Sequence, residues 1–171
     1  QAAPAVRSLR GPRRLQLLRA PDAFDEHASA PAVESARQGL TREHFTALVE
    51  DALRDIPRRF RDAMANVAVV VEEEPSAALL AEMGVGPDDH LFGLYQGIPL
   101  PQRGWSYGNA LPDRISIYQI PIEDACEDED EIRDCVAETV IHEFGHYFGM
   151  SEEEIEEIEE KYWRGESLDD V

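Results

Sequence analysis

Residues 129–152 read EDEIRDCVAETVIHEFGHYFGMSE, and the fold turns on how this stretch is read. His142 and His146 stand four apart, which on a helix means one face, about one turn apart. Two imidazoles in that relation can converge on one ion. Glu143, turned about 100° from His142 by the 3.6-residue period, can reach a water beside that ion without ligating it. Gly149 stands where a helix stops through a left-handed residue, a conformation glycine adopts at little cost. The chain can then turn back and bring Glu152, ten residues after His142, toward the same ion. Three protein ligands with one position left for water is the pattern of a catalytic zinc site.

The same residues carry a second reading. Ser151 and Glu154 form a capping box, and acids in a helix's first turn are favoured by its dipole with no metal present.

The motif HEFGHYFGMSE, with the segments RISIYQIPIED (114–124) and LFGLYQGIPLPQRG (91–104), resembles a family of small bacterial zincin-like zinc metallopeptidases, or minimal zincins, with HExxHxxGxxD. The resemblance spans about residues 41–162. It implies an α+β fold, a small mixed sheet packed on the HExxH helix and further helices. Carried over by position, it makes His142 and His146 zinc ligands, Glu143 the catalytic carboxylate and the acid at 152 the third ligand. This chain has Glu where that pattern has Asp, which lengthens the arm by one methylene. Glu166 is the rival third ligand: it lies twenty residues past His146, with Asp170 four further on, the spacing of the thermolysin-like zincins. Glu152 is preferred, because Glu166 follows Gly165 among the last residues, where chains fray.

The expected activity is peptide-bond hydrolysis with a Zn²⁺ cofactor, Glu143 moving the proton from water to the leaving amine. Tyr162, one helix later, is a candidate hydrogen-bond donor to the oxyanion. A rival from another class is a non-catalytic zincin-like module that binds a protein partner through an acidic face.

Net charge is −20 over 171 residues, and it is unevenly placed. Arg7, Arg10, Arg13, Arg14 and Arg19 occupy the first twenty residues without an acid, whereas the chain from Glu123 onward is overwhelmingly acidic. An acidic body argues against nucleic acid or an anionic membrane as partner and suits a basic peptide or a cationic partner surface, while the expected activity implies a peptide or protein substrate. With so little chain beyond the motif helix, recognition is expected to be shallow or to need a partner or a homodimer. No apolar run approaches membrane-span length and no secretion signal is evident, so a cytoplasmic location is expected. Two cysteines are too few for a disulfide framework and are read as reduced, Cys135 as a small buried hydrophobe.

Residues 1–40, rich in Ala, Pro and Arg without periodicity, read as a disordered tail preceding a domain at 41–171. Thr41 is an N-cap candidate for a helix carrying Phe45, Leu48, Val49, Ala52, Leu53 and Ile56 at helical spacing, ending before Pro57. A basic connector follows. The β-branched run 66–73 predicts a strand buried on both faces. Pro75 and Ser76 open a short helix closed by Gly84. Strands are predicted at 91–96 and 114–120, joined by a long loop holding Trp105 and Tyr107. Ile155, Ile158 and Tyr162 predict an acidic C-terminal helix.

Overall fold

The computed structural model describes residues 39–86, 89–104 and 111–166. The expected tail lies outside them except for its last two positions, as do Trp105, Tyr107 and Asp170. Chain order is α1 (Arg42–Asp55), α2 (Arg58–Ala63), β1 (Val67–Glu72), α3 (Ala77–Met83), β2 (Gly93–Gln96), a 3-10 turn (Leu100–Gln102), β3 (Asp113–Tyr118), α4 (Gln119–Ala125), α5 (Glu129–Phe148) and α6 (Glu152–Trp163). The class is α+β. The sheet is mixed, in the order β1-β3-β2, with β1 parallel to β3 and β2 antiparallel to it.

The helix ends follow the residues written at them. Thr41 caps α1 by accepting from the His44 N–H, and Ser76 caps α3 the same way from Leu79. Asp128 caps α5, and three acids fill its first turn, where the dipole favours them. Its other end closes on Gly149 at φ 75°, ψ 25°. Two residues later Ser151 and Glu154 make both bonds of a capping box and start α6.

α5 is the central post. Ile132, Cys135, Val136, Thr139, Val140 and Phe144 are all buried on it. All but Thr139 join Phe45, Leu48, Val49 and Ala52 of α1 and the sheet residues Ile115 and Ile117 in one core. Tyr147 is fully buried, and its hydroxyl accepts from Ala65 N and donates to Ala65 O, tying the end of α5 to the start of β1. Across the sheet a smaller cluster of Leu91, Leu94 and Tyr118 packs beneath Leu79, Leu80 and Met83 of α3. Cys126 and Cys135 are buried free thiols.

Several sequence expectations are corrected. Among the described residues the β-branched run forms an edge strand, paired with β3 alone, of intermediate burial and with Ala68 exposed. The second strand begins at Gly93, two residues late. The third stops at Tyr118: residues 119–125 turn into α4, which tolerates Pro121 because it falls in the first turn, where no backbone N–H is needed. The basic connector holds the short helix α2. Leu40, assigned to the tail, packs on the core, its N–H donating to Glu123 and its carbonyl accepting from Gln119.

Candidate metal centre

His142 and His146 share one face of α5, their ring centroids 4.8 Å apart. The left-handed stop at Gly149 reverses the chain, and α6 returns along α5, with Ile155 seated on Gly145. A Cβ at Gly145 would stand 2.5 Å from Ile155 Cγ1, so the glycine inside the HExxH motif is what lets α6 approach. That approach puts Glu152 Oε1 3.8 Å from His146 Nε2. Among the described residues, His142, His146 and Glu152 bring one ligand atom each to within 4.8 Å of one another. Capping box and ligand are therefore compatible: Ser151 and Glu154 hold the helix start while the Glu152 side chain turns inward.

The donor set fits a zinc ion, two imidazoles and a carboxylate being a usual catalytic set for it. One atom argues for occupancy by itself: His142 Nε2 is buried with no hydrogen-bond partner. An orphaned buried nitrogen costs about 1–3 kcal/mol, which a bound cation would relieve.

His142 is 2% exposed, and its Nδ1 lies 2.9 Å from Glu159 Oε1. Burial pulls the imidazole pKa down, but the Glu159 hydrogen bond and the fields of Glu143, Glu159 and Glu152 outweigh it, and the net shift is upward. His146 moves down, through burial and the neighbouring His142, against Glu152.

Glu143 is 5% exposed and faces the sheet. Burial pushes its carboxyl up to about 7, opposed by His142 and by a hydrogen bond from the Tyr95 backbone N–H, with Glu152 and Glu159 pushing the same way as burial. Gly93 of β2 lies directly against its side chain. Such a carboxyl sits near the point at which it can both take and give a proton at neutral pH.

Two predicted participants lie elsewhere. Tyr162 packs on the main core, its pKa raised by burial and by Asp55 and Asp134, on the part of α5 that precedes the motif. Glu166 pairs with Arg164 at 2.9 Å on the exposed end of α6. Glu159, Gly93, Gly145 and the Tyr95 N–H escape a motif reading. Only Glu159 left a signal, lying seven residues, or two helical turns, past Glu152.

The zincin-like metallopeptidase family matches residues 64–162, more than half of the chain. No match was found among curated proteins. Of solved structures, a conserved hypothetical protein from Thermo thermophilus is similar at 22% identity and a TM-score of 0.45, over 64% of this chain and 94% of that one.

Proposed function

The chain belongs to the zincin-like metallopeptidase family, and on that premise we propose that it is a zinc-dependent peptidase with Glu143 as its proton carrier. The observation that carries the reading is the buried His142 Nε2, without a partner and within reach of His146 and Glu152. His142, His146 and Glu152 would hold the ion. When bound, zinc supplies Lewis acidity that polarises a carbonyl and brings the pKa of a water to about 7.

The chain's own residues do the rest. Glu143 takes the proton of the attacking water and passes it to the leaving amine. The Tyr95 N–H holds that carboxylate in place, so its proton work starts from one geometry. β2 is an edge strand whose Gly93 borders Glu143, and an extended peptide can add to such an edge by main-chain hydrogen bonds. β3 is the central strand and has no free edge. Tyr162 has no part in the proposal, given its place beside Asp55 and Asp134. Buried free thiols suit the reducing cytoplasm. Among the described residues, no helix is long and apolar enough to cross a membrane.

The second reading, a non-catalytic binding module, draws on α6, where Glu153, Glu156, Glu157 and Glu160 are all exposed. Glu143→Gln separates the two. In zinc-loaded protein the variant should cleave a peptide library about 10²–10⁴ times more slowly while keeping its zinc. Equal turnover, or none in the wild type with zinc present, would sink the peptidase reading.

A further inference from the structure

We infer that Glu159 is the positioning residue of this centre: its carboxylate holds the His142 ring with the proton on Nδ1, so that Nε2 carries its lone pair toward His146 and Glu152. The inference rests on the metal-site reading above and adds to it a residue outside the motif.

An ionised carboxylate only accepts, so the 2.9 Å contact from Glu159 Oε1 requires a proton on Nδ1. The pair is enclosed, the side chains being 3% and 14% exposed, so water does not compete freely for either group. With Nδ1 protonated, a neutral ring has a bare Nε2, and that is the atom buried without a partner. A doubly protonated ring would instead bury an Nε2 N–H with no acceptor, and mildly alkaline pH removes that second proton. A neutral imidazole in water carries its proton mainly on Nε2, the wrong nitrogen for ligation here. Glu159 reverses that preference before any ion arrives.

The fold delivers this residue economically. Glu152 and Glu159 are seven apart on α6, two turns, so both project from the face that Ile155 packs against Gly145. One helix thus supplies the third ligand and the carboxylate that orients the first. Partners of this kind typically tune metal affinity by about 10–100-fold.

The test reads the proton directly. In metal-free protein with ¹⁵N-labelled histidine, at mildly alkaline pH, the wild type should show His142 protonated at Nδ1 and bare at Nε2. Glu159→Ala should shift the proton toward Nε2. Glu159→Gln, which keeps an acceptor oxygen, should retain the wild-type pattern. Competition with a chromophoric chelator, using zinc alone, should give about 10–100-fold weaker binding for Glu159→Ala and a smaller loss for Glu159→Gln. Should Glu159→Ala not fold, the wild-type spectrum and the Gln variant carry the test. Protonation of wild-type His142 at Nε2, an unchanged tautomer in Glu159→Ala, or unchanged zinc affinity in that variant would overturn the inference. A wild type that binds no zinc defeats the metal-site reading instead, and the wild-type spectrum still decides whether the proton facing Glu159 sits on Nδ1.

Discussion

A Cβ at position 93 would stand 2.8 Å from Glu143 Cγ and 2.7 Å from Thr139 Cγ2, closer than side chains approach. β2 can therefore lie against the proton carrier only because that residue is glycine. Gly93→Ala should displace the Glu143 carboxylate from the Tyr95 N–H while leaving both histidines and Glu152 in place. The expected outcome is a loss of peptide turnover with zinc affinity kept within a few-fold, and destabilisation of about 1–3 kcal/mol from overpacking. Kinetics and a zinc titration on one preparation check this; an equal fall in both would place the damage in the metal centre. Glu143→Gln makes the complementary cut, removing the proton carrier's charge and leaving the packing intact.

At the scale of elements, the junction of α5 and α6 is decisive, because it sets where Glu152 falls. Ser151 starts α6 by accepting from Glu154 N. Ser151→Ala should cost about 1 kcal/mol and, by loosening the first turn that carries Glu152, weaken zinc binding as well. A thermal melt and a chelator competition measure the two effects, and weakening without destabilisation would contradict the argument. This junction was legible in the sequence because each of its parts is local: a four-residue histidine spacing, a glycine stop, a serine cap. The sheet was less so. Nothing in a β-branched run says how its neighbours will cover it, so β1 read as buried on both faces and lies half-buried at an edge of the described sheet. The same limit hid β2 as the edge beside Glu143, a fact fixed by long-range pairing of Gly93 with Ile117. The turn of the chain into α4 was missed because Pro121 looks like a breaker unless its place in the first turn is known.

Over the whole molecule, a net charge of −20 is concentrated into fields that the centre must live with. Glu138, one turn before His142, has its carboxyl pushed up to about 7 by burial and by Glu159, against the pull of His142. Its folded pKa lies above the ordinary carboxylate value, so the folded state holds this proton more tightly than the unfolded one. The stability it contributes is full below the unfolded pKa and is lost as pH rises through about 7. Glu143, also raised to about 7, acts in the same direction. Metal-free protein should therefore lose stability between mildly acidic and neutral pH, and Glu138→Gln should flatten that slope and exceed the wild type at alkaline pH. Denaturant melts across that range in chelator-treated protein measure it, and an unchanged slope would show that Glu138 does not carry this field. Zinc should offset the same repulsion, adding about 2.7 kcal/mol when free ion is a hundredfold above its Kd. The most direct test of the account is an anomalous difference map from a zinc-loaded crystal, recorded at the zinc absorption edge. The account predicts a single strong peak bonded to His142 Nε2, His146 and Glu152; no peak there, or one held by Glu166 in place of Glu152, would contradict it.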